Sequence, residues 1–552
     1  MKVFCVNLGR YIPVQGGMTL DDVYNIVKDE INFTPICARV NNKTEDLQFP
    51  IFTPKQIEFL SADTPSGHRC YIRSLCMMLY RAVVKLFPGQ RLDIEHAISR
   101  GYYCRLPGLC IDMEQAAAML KSEMLQLVAR DLPFVRRERL TRDVIEIFRS
   151  QGLDDKVKLF STLHDLYTVY YRLDGVADSY YSSLAPRTGM LGVFDLIPYH
   201  DGLLLLGPDP KDLNSAESPL PQPKLFRAYT EYLEFNSIIG TRDAGDVNRL
   251  VERGDTSMMI NVAEALHIKY IGAIADEIAA RYRNGGARVV LVAGPSSSGK
   301  TTFTKRLAVQ LLTNLVKPVM ISLDNYFVDR HHTPLDENGD YDYESLYALD
   351  LKLFNEHLTT LIQGGEVSLP TYNFETGARE FKDESISLGD NTVLLIEGIH
   401  GLNPELTSEI PPEMLYKIYV SALTTLSIDD HNWVSTTDNR LLRRIIRDYK
   451  YRGTSPLETI RRWPSVQRGE KRWIFPYQEN ADSMFNSSLL FELGVMREEA
   501  ERVLRDVPRD VPEYAEAFRL RHFLDYFLPI PSTMIPPTSL LREFLGGSSF
   551  HY

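Results

Sequence analysis

The sequence predicts an α/β protein in which a parallel sheet is flanked by helices. Short β-branched runs alternate with helical patterns in the C-terminal half, which is typical of parallel sheets. The first of these runs leads into a glycine-rich loop and then a helix. At 552 residues the chain also exceeds the size of one hydrophobic core, so we expect further domains before the sheet.

The expected strands of the sheet are short apolar runs separated by helical patterns. They are Val289–Ala293, Val319–Leu323, Val393–Ile396 and Lys417–Val420, with a weaker run at Ser483–Asn486. Ligands of such sheets bind at the carboxyl ends of the strands. Polar residues at these ends are therefore the first candidates for function.

The glycine-rich loop follows the first strand with the spacing G-x-x-x-x-G-K-T and opens a helix. Glycines let the backbone approach phosphate oxygens, while successive N–H groups and the helix dipole attract anions. Lys300 can reach the β- and γ-phosphates, and Thr301 can bind Mg²⁺. An ordinary Ser/Gly-rich loop would not need all eight positions, so a P-loop NTPase-type sheet that binds a nucleoside triphosphate is predicted. The predicted nucleotide-binding residues are Gly294, Pro295, Ser296, Ser297, Ser298, Gly299, Lys300, Thr301 and Thr302.

An acidic residue follows or ends two of the other strands. Asp324 comes directly after the second strand and Glu397 directly after the third. One carboxylate can take a proton from an attacking hydroxyl, and another can hold Mg²⁺ directly or through water. Each acid alone could be a helix cap or a surface group. Their position beside Lys300 and Thr301 favours phosphoryl transfer.

A cluster of arginines comes later in the chain. Arg440, Arg443, Arg444 and Arg447 have the i, i+3, i+4 and i+7 spacing of one helix face. Guanidinium groups suit a triphosphate and its transition-state charge. The alternative is a solvated face whose arginines pair with Asp438 and Asp448.

Composition excludes several classes of protein. The net charge of −12 disfavours a broadly basic nucleic-acid surface. No apolar run is long enough to span a membrane, and the N-terminus lacks a secretory signal, so we expect a cytoplasmic protein. The six cysteines are all among the first 110 residues and fit no zinc spacing. A metal site that joins Cys70 or Cys104 with His68 and His96 is the alternative to buried, reduced thiols.

The N-terminal half resembles part of the threonyl-tRNA synthetases. Ala38–Asp63 carries the pattern of their small β-grasp TGS domain, and the segment that opens with Gly67–Leu75 is similar to their second additional, editing domain. The family uses a His-x-x-x-His pair and a later Cys-x-x-x-His pair. His68 matches the first histidine, but Ile72 replaces the second, and Ser179–Arg187 supplies no later pair. The resemblance implies a retained fold without hydrolysis, which leaves RNA binding or regulation open.

Residues 285–490 resemble the uridine kinase/phosphoribulokinase family. The motifs that carry this resemblance are the phosphate loop, Asp324–Phe327, Pro370–Phe374, Leu395–Ile399 and the helix of Arg440–Arg452. The resemblance implies ATP and Mg²⁺ as cofactors and an alcohol as phosphoryl acceptor. One departure is Gly377, which replaces a histidine that reads the pyrimidine edge.

The resemblance also implies roles for individual residues. Catalysis would involve Lys300, Asp324, Arg443 and Arg447, with Arg444 and Arg452 also on the nucleotide. Mg²⁺ would lie among Thr301, Asp324 and Glu397. The acceptor would contact Asp324, Tyr326, Tyr341, Asp342, Asp350, Tyr372, Arg379 and Arg440.

These observations predict five segments. They are a TGS-like β-grasp domain (1–62), an inactive editing-like α+β domain (63–224), a helical connector (225–286), the kinase-like domain (287–495) and a helical extension packed on it (496–552). The leading interpretation is an ATP-dependent kinase of a nucleoside 5′-hydroxyl, in a homo-oligomer. The alternatives are a kinase of another small alcohol, such as a sugar phosphate or polyol, and an RNA-associated regulatory protein switched by nucleotide.

Overall fold

The structure, a computed structural model, describes residues 1–337, 339–373 and 376–551 without the side chains of 382–384. Phe374, the last residue of one predicted motif, lies outside the described residues. The chain combines several mixed or antiparallel sheets in its N-terminal half with one parallel sheet in its C-terminal half.

The N-terminal residues form a five-stranded sheet with one helix packed on it. Strands β1 and β5 are parallel neighbours at its centre, and the strand order is β2-β1-β5-β3-β4. The helix begins with a capping box between Thr19 and Asp22 and buries Leu20, Val23 and Val27. The elements are β1 (Lys2–Cys5), β2 (Arg10–Pro13), α1 (Leu20–Val27), β3 (Cys37–Val40), β4 (Lys43–Glu45) and β5 (Gln56–Leu60).

The next region is an α+β arrangement with sheets of order β10-β9-β8 and β11-β12-β7-β6. Its elements are α2 (Pro65–Leu86), β6 (Asp93–Ile98), β7 (Gly101–Arg105), α3 (Met113–Arg130), β8 (Val135–Leu140), α4 (Thr141–Ser150), α5 (Asp154–Thr162), β9 (Tyr167–Leu173), β10 (Val176–Asp178), β11 (Asp195–Tyr199) and β12 (Gly202–Leu206). Every cysteine is a free thiol, and all except Cys110 are buried. Within the described part of the chain, the predicted cysteine–histidine group does not come together as metal ligands.

The segment Pro208–Pro223, which its composition predicts to be a loop, contains a short hairpin. This hairpin consists of β13 (Pro208–Asp209) and β14 (Asp212–Ala216). Three helices occupy the segment that the sequence predicts to be a connector: α6 (Pro223–Ile239), α7 (Ala244–Arg253) and α8 (Thr256–Arg283). Because α6 begins at Pro223, the expected boundary at residue 224 falls inside a helix. Among the described residues, no helix has both the length and the hydrophobicity to cross a membrane.

The C-terminal half is built on a parallel sheet, as the strand–helix alternation predicts. Its order is β16-β19-β15-β20-β23, and every neighbouring pair is parallel. Along β15, Val289 and Leu291 face one hydrophobic core, and Val290 and Val292 face the other, which continues into the N-terminal half. The elements are β15 (Val289–Ala293), α9 (Lys300–Thr313), β16 (Lys317–Ser322), α10 (Leu351–Ile362), β17 (Glu366–Asn373), β18 (Ala378–Ser387), β19 (Thr392–Glu397), β20 (Leu415–Ser421), β21 (Ser427–Asp429), β22 (Asn432–Trp433), α11 (Thr436–Tyr451), α12 (Pro456–Trp473) and β23 (Ser483–Asn486).

The C-terminal segment packs against the arginine-bearing helix α11. It comprises α13 (Glu492–Leu504), α14 (Tyr514–Leu524) and α15 (Arg542–Leu545). Helices α13 and α15 both contact α11. Since α13 begins at Glu492, the expected boundary at residue 495 lies inside this helix rather than at a linker.

A buried ion cluster joins the two halves of the chain. Lys156 of α5 lies 2.9 Å from Asp178 at the end of β10 and 2.8 Å from Asp429 at the end of β21. His431 also approaches Asp178, with 2.8 Å between Nδ1 and Oδ2. Because these side chains are almost completely buried, the charges neutralise one another away from water.

Candidate functional site

The phosphate loop needs glycine at both of its fixed positions. A Cβ on Gly294 would lie 1.9 Å from the carbonyl oxygen of Val420 in the neighbouring strand. Gly299 has a φ of +87°, in the left-handed region that favours glycine. Between them, Ser297 also has a positive φ, which turns successive N–H groups toward one concave surface. The backbone is therefore shaped to accept an anion before α9.

Two hydroxyl groups of the loop also indicate that the loop binds an anion. The Oγ atoms of Ser297 and Ser298 are buried and have no hydrogen-bond partner among the described residues. Leaving buried hydroxyls unsatisfied costs about 1–3 kcal/mol each. Phosphate oxygens are acceptors that such hydroxyls and N–H groups bind, so the loop fits a nucleotide.

Buried charges hold the loop from behind. Glu470 of α12 accepts the N–H of Ser296 at 3.1 Å, and Arg440 donates to the carbonyl oxygen of Ser296 at 3.1 Å. Arg440 also forms a two-pronged ion pair with Glu470 and lies over the ring of Trp463. Arg444 donates to the Ser296 hydroxyl at 2.9 Å. These contacts fix the loop conformation without a ligand.

The two predicted acids lie at adjacent strand ends. Glu397 ends β19 directly opposite Ser322 of β16, whose hydroxyl donates to its carboxylate at 3.3 Å. Asp324 lies in the helical turn after β16, and its backbone N–H donates to Ser322 Oγ at 3.3 Å. Burial, and next the nearby Asp324 carboxylate, raises the pKa of Glu397 to about 7. Desolvation also raises the pKa of Asp324, against the opposing effect of Lys300.

Lys300 is the group on which this electrostatic network is centred. Burial lowers its pKa, whereas the carboxylates of Glu397 and Asp324 act to raise it. Its ammonium group donates to the Pro295 carbonyl oxygen at 3.1 Å. Thr301, the predicted magnesium ligand, is the next residue of α9 and is partly exposed. Lys300 and both predicted acids thus lie near one another at the carboxyl edge of the sheet, and Thr301 is next to Lys300 in the chain.

The arginine helix forms as predicted, but its arginines do not share one environment. Arg443 is fully buried, pairs with Glu492 and donates to Ser487. Arg440 is also buried, pairs with Glu470 and donates to the carbonyl oxygen of Ser296 in the phosphate loop. The packing of α11 against α12 and α13 thus gives both guanidinium groups a carboxylate partner within the protein. The expected contacts of Arg440 with the acceptor and of Arg443 with the nucleotide stay predictions.

Arg447 and Arg452 are the members of the arginine set whose charges act on Asp324. Both act to lower the pKa of Asp324, which places their charges near its carboxylate. Arg447 and Arg444 pair with Asp448, and the Arg452 side chain remains more than half exposed. This placement agrees with the alternative in which the arginines pair with acids of the same helix, and it agrees equally with arginines that contact phosphate.

The predicted acceptor residues are spread over two environments. Tyr326 is buried and bonds to His357 Nδ1 at 3.1 Å, while Tyr372 is buried against Phe327. The contacts of both tyrosines with the acceptor stay predictions.

The other predicted acceptor residues are partly exposed or paired with each other. Asp350 caps α10 and pairs with Arg379 at 2.8 Å, and the shared bonds lower the pKa of Asp350. Tyr341 is exposed. Asp342 is partly exposed, and burial still raises its pKa.

Sequence reasoning missed a carboxylate on the phosphate loop. Glu543 of α15 accepts both the backbone N–H of Thr302 at 3.2 Å and its hydroxyl at 2.7 Å. Leu540 lies next to Gly299 in the same segment, so this part of the chain covers the N-terminal end of α9. No local motif marks Glu543, because it reaches the loop only through the packing of α15.

Comparisons with known proteins concern the same region. A sequence model of the phosphoribulokinase/uridine kinase family matches residues 289–489. Uridine kinases of Staphylococcus aureus strains JH9 and Newman are each 31% identical over 195 residues, which cover 35% of this chain and 84% of each relative.

Two solved structures align with part of the chain at low overall similarity. A possible uridine kinase from Bacillus stearothermophilus is 18% identical with a TM-score of 0.25, covering 36% of this chain and 89% of that chain. D-glycerate 3-kinase from Cryptococcus neoformans is 12% identical with a TM-score of 0.30, covering 38% and 89%.

Proposed function

The chain belongs to the phosphoribulokinase/uridine kinase family through residues 289–489, and from that premise we propose that it is an ATP-dependent, cytoplasmic nucleoside kinase that phosphorylates a 5′-hydroxyl. The observation that carries this proposal is the meeting of Lys300, Asp324 and Glu397 beside the phosphate loop. Phosphoryl transfer needs mainly positioning and charge neutralisation, and these groups are suited to both.

Each residue has a separate task in this proposal. The loop N–H groups and the Ser297 and Ser298 hydroxyls would hold the phosphates, and Lys300 would neutralise the charge on the transferred group. Thr301, Asp324 and Glu397 would hold Mg²⁺, which supplies charge neutralisation and orients the phosphates when bound. Asp324 would accept the proton of the acceptor hydroxyl, a task that its raised pKa favours.

A second candidate acceptor is another small alcohol. Gly377 stands where a base-reading histidine is expected, and it has a φ of +69°. A Cβ there would lie 2.7 Å from the Arg330 guanidinium, which fills the space. This observation favours recognition of the acceptor by groups other than a side chain at residue 377.

The N-terminal half fits the proposed TGS-like and inactive editing-like modules. The β2-β1-β5-β3-β4 order with parallel central strands supports a β-grasp assignment. Ile72 is buried, and its side chain lies against Gly207, so it offers neither a proton nor a metal ligand. RNA binding, nucleotide-dependent regulation and homo-oligomer formation remain hypotheses about this half and about the assembly.

Phosphate transfer from ATP to a panel of nucleosides, sugars and polyols tests the proposal. We expect Asp324→Asn to abolish transfer while ATP binding, measured by calorimetry, persists. Lys300→Ala should abolish transfer and weaken ATP binding. Asp390 is an exposed acid just before β19, and the control variant Asp390→Asn should retain both phosphate transfer and ATP binding. Turnover that requires RNA but no alcohol would instead support the regulatory alternative.

A further inference from the structure

Three potential metal ligands come together in the segment between strand β16 and helix α10. Asp329, His331 and His332 each offer one ligand atom, and among the residues that the structure describes these atoms lie within 4.8 Å of one another. Asp329 is partly exposed and both histidines are exposed, so dissolved ions reach all three side chains. We refer to these three residues as the Asp329 group.

The local backbone places the three side chains on one side of the segment. Arg330–His332 form one turn of 3₁₀ helix that follows Asp329, and the His332 N–H donates to the Asp329 carbonyl oxygen at 2.8 Å. Side chains three residues apart eclipse each other in a 3₁₀ helix, which favours Asp329 and His332 on the same side. Neighbouring side chains diverge in such a helix, yet the centroids of the His331 and His332 rings are only 4.0 Å apart. Two imidazoles and one carboxylate therefore share one side of the turn.

The Asp329 carboxylate is oriented by the neighbouring hairpin of β17 and β18. The backbone N–H of Arg379 in β18 donates to Asp329 Oδ1 at 3.1 Å. The N–H of Arg330 donates in turn to the carbonyl oxygen of Gly377 at 2.9 Å. Carboxylates that bind metals are commonly held by outer hydrogen bonds of this kind. The turn that carries the Asp329 group is thus attached to the hairpin, and Oδ2 is the second oxygen that a cation can bind.

The types of ligand atom select the type of metal. Mg²⁺ prefers oxygen ligands, whereas two imidazoles and a carboxylate suit Zn²⁺ and related transition metals. Three protein ligands leave the fourth position of a tetrahedral zinc site to water. Ligand atoms in such a site are about 3.3 Å apart, because each bond is about 2.0 Å long. The Asp329 group therefore has to close by no more than about 1.5 Å from its 4.8 Å spread, which rotation of exposed side chains supplies.

The charges around the group point to coordination by the imidazoles as the main attraction. Asp329 contributes one negative charge. The Arg379 guanidinium is paired with Asp350 at 2.8 Å, so its charge is compensated. The Arg330 side chain lies against Gly377, where an added Cβ would be 2.7 Å from its Nε, and its charge opposes a cation. With one carboxylate set against one arginine, the site should discriminate strongly between Zn²⁺ and Mg²⁺.

We propose that Asp329, His331 and His332 bind a divalent transition metal, with Zn²⁺ as the best fit, and that this metal fixes their turn against the β17–β18 hairpin. The site shares no ligand with the magnesium site of the proposed kinase, so the inference stands apart from that function. The hairpin carries Tyr372, which packs against Phe327 two residues before Asp329. A metal bound here would therefore stabilise the surface beside the predicted acceptor residues.

Calorimetric titration of the untagged full chain with Zn²⁺, without nucleotide and with Mg²⁺ in excess, tests the site. The titration uses a Cys110→Ser background, because Cys110 is exposed and thiols also bind zinc. We expect one Zn²⁺ per chain in this background. The matched control is His164→Gln, which removes an exposed histidine outside the group and should leave the Kd of Zn²⁺ unchanged.

Three variants remove the ligands one at a time. His331→Gln, His332→Gln and Asp329→Asn should each weaken Zn²⁺ binding by at least about tenfold, which is the smallest loss typical when even an outer partner of a metal ligand is removed. Asp329→Asn retains an oxygen that accepts the Arg379 N–H, so it removes the charge and keeps the hairpin contact. Hydrogen exchange measures the effect on the hairpin. Zn²⁺ should slow exchange of the Arg330 and Arg379 N–H groups by at least about tenfold in the wild type and should not slow it in His332→Gln.

The possible outcomes are distinct. Equal Kd values for the wild type and all three variants overturn the site. Binding that is lost in Glu397→Gln instead also overturns it, because Zn²⁺ then occupies the proposed magnesium site. Binding that leaves exchange of both N–H groups unchanged overturns the effect on the hairpin. None of these results bears on the kinase proposal, which phosphate transfer to an alcohol tests separately.

Discussion

Replacing Arg443 tests whether this arginine stabilises the fold or takes part in catalysis. The residue lies on the arginine helix, where spacing predicts contact with a triphosphate. In the structure it is fully buried, its Nε donates to Glu492 at 2.9 Å, and two further bonds reach Ser487. Arg443→Met removes the positive charge but leaves Glu492 buried. We therefore expect loss of stability rather than a selective loss of catalysis.

The magnitude follows from the burial of the pair. Breaking a buried ion pair by removing one partner costs about 3–5 kcal/mol. For a domain of about 150–250 residues, each kcal/mol shifts Tm by roughly 2–4 °C, so Arg443→Met should lower the unfolding midpoint by about 6–20 °C. Adding Glu492→Gln removes the uncompensated charge but keeps an acceptor for Asn439 and Ser488. The double variant should recover most of the loss.

Differential scanning calorimetry and steady-state kinetics provide the measurements, with Arg447→Met as the comparison. Arg447 acts on Asp324, and its partner Asp448 keeps Arg444 and Arg452 when Arg447 is replaced, so Arg447→Met should lower Tm by less than Arg443→Met does. We expect Arg447→Met to lower kcat/KM by at least ~10²-fold. This minimum lies below the factor of ~10³–10⁵ that an arginine contributes when it stabilises the charge of the transferred phosphoryl group directly. An Arg443→Met protein with unchanged Tm and a large loss of kcat would refute the structural role.

Three further predictions concern the metal, the nucleotide and the junction between the halves. Because the pKa of Glu397 is raised to about 7 and Mg²⁺ binds the ionised form, apparent Mg²⁺ affinity should fall about fivefold between pH 7 and 6. Glu397→Gln should abolish that dependence in magnesium titrations. The Glu543 carboxylate competes with phosphate for the N–H and hydroxyl of Thr302, so Glu543→Gln should tighten ATP binding about threefold to tenfold. The control variant Glu499→Gln should bind ATP as the wild type does. Equal Kd values for Glu543→Gln and the wild type in calorimetry would show that Glu543 and the nucleotide can contact the loop at the same time. Lys156→Met should cost about 3–5 kcal/mol in thermal unfolding. The pKa of Asp178 is lowered in the folded protein, so its contribution to the free energy of unfolding is present above the unfolded pKa of about 3.9 and is lost as the pH falls below that value. The free energy of unfolding should therefore decrease less on acidification in Lys156→Met than in the wild type.

Local sequence patterns were sufficient for the parallel sheet and the phosphate loop. The strands Val289–Ala293 and Ser483–Asn486 have the predicted bounds, and the other strands of the sheet differ by one or two residues at their ends. A β-branched run and a Gly-Lys-Thr turn specify their structure through short-range sterics and hydrogen bonding. The hairpin of β13 and β14 was missed, because a Pro- and Ser-rich composition predicts loops without regard to pairing partners.

The sequence by itself determined that a phosphate-binding loop, two acids and a helix of arginines exist in this protein. Only the tertiary structure decided which of them face the site. The spacing of Arg440, Arg443 and Arg447 places them on one helix face, but the carboxylates that bury the first two come from α12 and α13. The same holds for Glu543 of α15. Its contact with Thr302 joins residues distant along the chain, and local periodicity carries no information about such contacts.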